Sequence, residues 1–211
     1  MKSDKRAEGR QRSPQISGSL PELAERAKSC KNCDLWRNAT QTVFGEGSRR
    51  ARIMLVGEQP GNEEDVQGRP FVGPAGKLMD RLLAEIGIDR KDVYVTNAVK
   101  HFKWEPRGKR RIHKKPSGKE IAACRPWLEA EVAAIKPAVI VCLGATAAQS
   151  LLGPAFRVTV SHGKFIESPL ARYVTATIHP SAILRAPEDE MRHELQKQFI
   201  DDLRPIARLK L

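Results

Sequence analysis

The sequence predicts an α/β fold: a three-layer α/β/α sandwich around a central, mostly parallel four-stranded sheet. Three observations carry this expectation. Four short strand candidates lie at 52–57, 93–97, 138–143 and 173–178, and the continuous apolar run that ends at Gly57 suits a strand buried on both faces. Stretches with apolar residues at helical spacing lie between them. Strands alternating with helices argue for parallel pairing with helices covering both faces of the sheet.

Taken in order, residues 1–19 are polar, rich in Arg, Ser and Gly, and read as a disordered basic tail. A single domain is expected over 20–211. A short helix follows Ser19, which suits an N-cap, with Pro21 in its first turn. The run 52–57 is the first strand, and Glu58-Gln-Pro-Gly61 is the loop at its carboxyl end. Leu78, Leu82, Leu83 and Ile86 mark a helix over 74–86 that Gly87 can close. The run 93–97 is the second strand, ending on Asn97. A basic loop is expected over 101–118. Ser117, with Glu120 three residues on, forms a capping box for a helix reaching about Ile135. The third strand at 138–143 leads into a short helix at 144–152. A minor strand is expected at 164–167. The fourth main strand at 173–178 runs into His179-Pro-Ser181, and 188–207 is a terminal helix.

Composition narrows the function classes. A 40% hydrophobic share excludes a wholly disordered chain and a small disulfide scaffold. No apolar run approaches the roughly 18–20 residues that span a bilayer, and no membrane role is expected. The charged N-terminus does not read as a secretory signal. A cytoplasmic protein is expected, nucleoid-associated if bacterial. The net charge is +12, and it is concentrated: residues 100–119 hold nine Lys and Arg against Glu105 alone. A basic segment on a balanced body is the footprint of a polyanion binder.

Four cysteines in a reducing compartment suggest metal ligation. Cys30 and Cys33 form a C-x2-C pair; Cys124 and Cys142 are separated by a helix. Four thiolates can hold zinc or a [4Fe–4S] cluster, and the wide second spacing favours the cluster. Other candidates fall at strand ends, where ligands bind in open α/β sheets. These are Gly57, Glu58 and Gln59 after the first strand, Asn97 after the second, and His179 after the fourth. Phe71 lies in a loop of glycine and proline. Amide, carboxylate, aromatic and imidazole beside a basic loop are the equipment for gripping an extruded nucleobase.

The motifs Gly57-Glu-Gln-Pro-Gly61, Gly68-Arg-Pro-Phe-Val-Gly73, Val95-Thr-Asn97 and His179-Pro-Ser181, with the four cysteines, resemble the iron–sulfur uracil-DNA glycosylases of family 4. The resemblance covers about 20–205 and implies the uracil-DNA glycosylase fold. Ordinary members carry alanine or glycine at the place of Gln59, and lack the insertion around Lys109-Arg-Arg-Ile-His113. Both features resemble the UdgX subfamily, whose members capture uracil-DNA covalently through the histidine of this loop.

The resemblance therefore implies uracil excision with single-turnover capture of the abasic C1′ by His113. The alternatives are a turning-over family 4 hydrolase and a non-enzymatic basic single-strand binder. It implies that Phe71 stacks on uracil, Asn97 reads its polar edge, His179 stabilises the departing anion, and the backbone from Gly57 lines the pocket. Glu58 would hold the His113 ring N–H, an arrangement expected to raise the histidine's midpoint above about 6.5. Gln59 is expected to place the loop or the base, and Glu64 to form a wall against the thymine methyl. Lys109, Arg110, Arg111 and Arg185 are expected on phosphates, and Cys30, Cys33, Cys124 and Cys142 on a [4Fe–4S] cluster. The expected partner is uracil-containing DNA, preferentially single-stranded, bound by a monomer.

Overall fold

The computed structural model describes residues 16–211, so 1–15 of the expected basic tail lie outside the described residues. Ser19 opens α1 (Leu20–Lys28) through a capping box with Glu22, as the Ser-x-x-Glu pattern requires. A 3₁₀ turn at Asp34–Arg37 follows the C-x2-C pair. The remaining elements are β1 (Ile53–Gly57), α2 (Asn62–Gln67), α3 (Pro74–Glu85), a second 3₁₀ turn (Arg90–Asp92), β2 (Val93–Asn97), β3 (Trp104–Arg107), β4 (Arg110–His113), α4 (Gly118–Ile135), β5 (Val139–Leu143), α5 (Ala145–Leu152), α6 (Val158–Ser161), β6 (Tyr173–Thr177), α7 (Pro180–Leu184) and α8 (Asp189–Ala207).

The main sheet has the order β2-β1-β5-β6, with every pair parallel. Strand side chains alternate between faces. Ile53, Leu55, Val139 and Val141 join one core with Leu82 of α3, Ile183 of α7 and Phe199 of α8. Met54, Val56, Ile140 and Cys142 join a second core with Leu128 and Val132 of α4 and Ala148 of α5. Helices thus cover both faces, and the three-layer α/β expectation holds. A third cluster joins α1 to α4 around Leu23, Leu35 and Trp127.

Two expectations are corrected and one helix was unforeseen. The segment expected as a basic loop contains an antiparallel hairpin, β3 with β4, closed by Gly108-Lys109. Gly108 has a φ of 59°, the left-handed conformation that a two-residue hairpin turn requires. Its pattern is hidden in sequence because both strands are mostly polar. The strand expected at 164–167 is only an isolated bridge, Ile166 with Val174. The helix α2 was not foreseen; its six residues, Asn62–Gln67, carry three acids in the first turn and no apolar stripe. Among the described residues, no helix is long and apolar enough to cross a membrane.

Candidate active site

β1 lies between β2 and β5, so the chain leaves β1 toward one side and later returns on the other. Loops diverge at such a reversal and leave a crevice beyond the strand ends. A cavity of about 440 Å³ lies there, and its lining includes Glu58, Phe71, Asn97, His113, Thr146 and His179. Every residue assigned above to catalysis or uracil contact reaches its wall, apart from Gly57, which lies directly behind two of them.

Close packing explains the glycines. A Cβ at Gly57 would lie 2.4 Å from Asn97 Oδ1 and 2.7 Å from Phe71 Cζ. One at Gly76 would collide with the Phe71 carbonyl oxygen. Phe71 itself has a φ of 58°, which costs a non-glycine residue on the order of 1–3 kcal/mol and is held by its surroundings. Its ring lies 26° from parallel to that of His179, with centroids 6.1 Å apart. Asn97 is 3% exposed. Phe71 offers a flat face and Asn97 a hydrogen-bonding amide at a site largely closed to water.

His179 Nδ1 accepts a hydrogen bond from Ser181 N at 3.1 Å. A nitrogen that accepts an N–H carries no proton, so the neutral ring bears its proton on Nε2. Burial pushes its pKa down to about 4, and the positive charges of Arg185 and His113 act in the same direction. His179 is therefore a neutral donor at physiological pH.

Glu58 accepts a hydrogen bond from Thr146 Oγ1 through Oε2, and its Oε1 lies 3.4 Å from His113 Nε2. His113 is half-exposed at the foot of β4. Its pKa is lowered: burial outweighs the opposing attraction of Glu58, and Arg185 adds to the lowering. The expected rise is thus corrected, because desolvation of the ring exceeds the effect of one carboxylate at that distance.

Gln59 acts on the hairpin. Its amide nitrogen donates to Lys103 O at 3.2 Å and Lys114 O at 3.0 Å, and its oxygen accepts from Lys103 N at 3.1 Å. One side chain thus spans both legs of the hairpin that carries His113. Arg111 is the second tether. Its guanidinium meets Asp65, which is fully buried, at 2.6 Å and Asn62 Oδ1 at 2.7 Å, and lies over Phe102 and Trp104. The phosphate role expected of Arg111 is corrected, since its donors are committed inward. Lys109 and Arg110 are exposed at the hairpin tip, and Arg185 is exposed at the cavity rim. Glu64 accepts from Gly61 N at 3.1 Å and Gly73 N at 2.7 Å. It lines the cavity while tying the loop after β1 to the loop that carries Phe71.

These tethers make a testable claim. Gln59→Ala removes three hydrogen bonds worth about 1 kcal/mol each. The hairpin amides of Lys103 and Lys114 should then exchange about ten-fold faster or more, with a fall in Tm of several degrees. Unchanged exchange would mean that Gln59 does not hold the hairpin.

The cysteines separate. Cys30, Cys33 and Cys124 share the cluster between α1 and α4, whereas Cys142 sits in the sheet core among Met54, Val56 and Ala176. Burial pushes Cys124 up to about 12, and the neighbouring thiols Cys30 and Cys33 add to the rise. Cys142 is likewise pushed up to about 12, by burial alone. The four cysteines expected to act together do not meet: β5 turns Cys142 into the apolar layer, away from the other three. Lys100 N donates to Cys124 Sγ and Trp127 Nε1 to Cys30 Sγ, both at 3.1 Å. Among the described residues, no three His, Cys, Asp or Glu side chains form a group that could hold a metal ion. Next to Lys100, His101 is 4% exposed, with Nε2 2.9 Å from Thr42 Oγ1.

Several of these roles had no sequence signal. Thr146 and Asp65 sit in no motif, and Lys100 and Arg111 count in sequence as solvent-facing charge.

A model of the uracil DNA glycosylase superfamily matches residues 44–204. A type-4 uracil-DNA glycosylase of Thermotoga maritima is 44% identical over 185 residues, covering 84% of this chain and 93% of that protein. One from Archaeoglobus fulgidus is 39% identical over 189 residues, covering 86% and 90%. A type-5 uracil-DNA glycosylase of Pyrobaculum aerophilum is 28% identical over 176 residues, covering 74% and 73%.

Proposed function

The chain belongs to the uracil DNA glycosylase superfamily, and we propose that it releases uracil from DNA by cleaving the N-glycosidic bond. The observation that carries this reading is one cavity lined by Phe71, Asn97 and a neutral His179 at the sheet's carboxyl edge. Uracil leaves with the electron pair of the C1′–N1 bond. The anion forms where His179 Nε2–H can donate to it, and Asn97 and Phe71 hold the base. The positive C1′ faces Glu58.

Two fates of that carbon are open, and different observations favour each. The type-4 relatives favour hydrolysis with turnover, in which Glu58 takes a proton from attacking water. The position of His113 favours covalent capture, the UdgX-like outcome. A neutral imidazole held on the cavity wall forms a C–N bond to C1′, and the ring proton passes to Glu58. The comparisons fit hydrolysis better; the His113 geometry keeps capture as the second reading.

One experiment tests the activity and both fates. The protein is incubated with single-stranded uracil-DNA and assayed for free base, abasic sites and a band that survives heat and detergent. Free uracil in excess of enzyme supports hydrolysis. A stoichiometric protein–DNA band supports capture. If no uracil is released and no adduct forms, the proposed activity is wrong. Single strands are the proposed preferred substrate because extrusion is least costly there. Lys109, Arg110 and Arg185, exposed at the hairpin tip and the cavity rim, are proposed as phosphate contacts, and the acting unit is proposed as a monomer.

A [4Fe–4S] cluster is the proposed cofactor, supported by three gathered thiols with N–H donors aimed at two of the sulfurs. Cys30, Cys33 and Cys124 would hold it, with His101 the buried side chain of ligand chemistry beside them. It would tie the 30–33 turn to α4, and no step in the cavity runs through it. Cys124→Ser should lose bound iron and soluble yield. Cys142→Ala should keep the parent iron content, and loss of iron from that variant would restore Cys142 to the ligand set.

A further inference from the structure

One buried charged group lies outside the machinery described so far. Lys100 is 1% exposed and Glu131 fully buried, with Nζ 2.5 Å from Oε2. The ammonium also donates to Thr96 Oγ1 at 2.6 Å and to the Asn97 carbonyl at 2.8 Å, which uses all three of its protons. Glu131 in turn accepts from Tyr94 Oη, Thr96 Oγ1 and Gly45 N. A buried ion pair is seldom a net source of stability, because desolvation offsets the attraction and an apolar pair of similar volume is often as stable. Such a pair is more readily understood through what it positions.

What it touches is the end of β2. The peptide after Asn97 is held at two points: its carbonyl by Lys100 Nζ, and its N–H, from Ala98, by Gly57 O at 2.9 Å. Asn97 stands between these anchors, with its side chain against Gly57. Lys100 approaches from the α4 side of the sheet and does not line the cavity.

We propose that Lys100, neutralised by Glu131, is a positioning residue that sets Asn97 for base recognition by holding its carbonyl. This rests on the reading that the cavity takes uracil.

The test is a mutant cycle on the holoenzyme, read as the single-turnover rate of uracil release from single-stranded uracil-DNA with enzyme in excess. Lys100→Met with Glu131→Gln replaces the charged pair by side chains of similar volume. Made in the parent, this pair should slow release about ten-fold or more, with unchanged iron content and a Tm within a few degrees. Made on top of Asn97→Ala, it should slow release less than two-fold, because the residue it acts through is gone. Equal losses in both backgrounds, or no loss in either, would overturn the proposal. If the double variant does not fold, Glu131→Gln alone keeps the volume and is judged by the same ratio between backgrounds. Failure of the parent to release uracil would instead refute the proposed activity, so the two failures are distinguishable.

Discussion

His113→Ala is expected to eliminate any adduct that survives heat and detergent, while uracil release continues. The imidazole on the cavity wall at the foot of the hairpin is the proposed nucleophile for capture, and alanine cannot form the C–N bond. With the ring gone, Glu58 is left with Thr146 and faces water, so an enzyme that had been limited to one turnover should release uracil repeatedly. If the parent instead hydrolyses, the variant should keep the parent's products and lose rate only modestly. A persistent adduct in His113→Ala would mean that another residue is the nucleophile. The pH dependence has a definite sign. Capture needs the neutral ring, and burial lowers the His113 pKa below 6.5. The adduct rate should therefore be at its plateau near pH 7 and fall on acidification, with a midpoint below 6.5. A midpoint above 6.5 would mean that the Glu58 carboxylate dominates after all.

His179→Ala should slow uracil release by about 10²–10³-fold, the usual cost of removing one donor to a developing anion. The expectation depends on a tautomer. Ser181 N–H on Nδ1 forces the proton onto Nε2, the nitrogen left to serve the cavity. Since the folded pKa is about 4, this neutral form persists across the usual assay range and is lost as the pH falls through 4. His179 should therefore contribute no acid limb between pH 5 and 8, and any limb found there belongs to another group. His179→Gln, which retains a donor, should recover part of the rate. A loss of less than five-fold in the alanine variant would remove His179 from the anion site.

The fold was largely legible because its signals are local. Short β-rich runs such as Ile53–Val56 and Val139–Leu143 suit strands covered on both faces, and the Ser19 and Ser117 capping boxes mark helix starts through hydrogen bonds three residues apart. The hairpin was not legible, since its strands are held by Gln59 and Arg111 rather than by an apolar face. Arg111 illustrates why charge counting misassigns residues. It belongs to a run of basic side chains and differs from Arg110 only in pointing at Asp65, and that direction is set by the hairpin register.

By itself, the sequence determined the α/β class, the strand ends that carry the site, and the residue types gathered there, because these follow from periodicity and short-range spacing. Tertiary structure alone decided which charges face inward, which thiols meet and which histidine nitrogen bears a proton. Lys100 is a surface cation by composition and a buried anchor by packing. Cys142 is a ligand by count and a core residue by strand register. The physical reason is common to both. Burial and hydrogen-bond partners set the state of a polar group, and a decisive partner can lie far off in the chain, as Glu131 does for Lys100 at a separation of 31 residues.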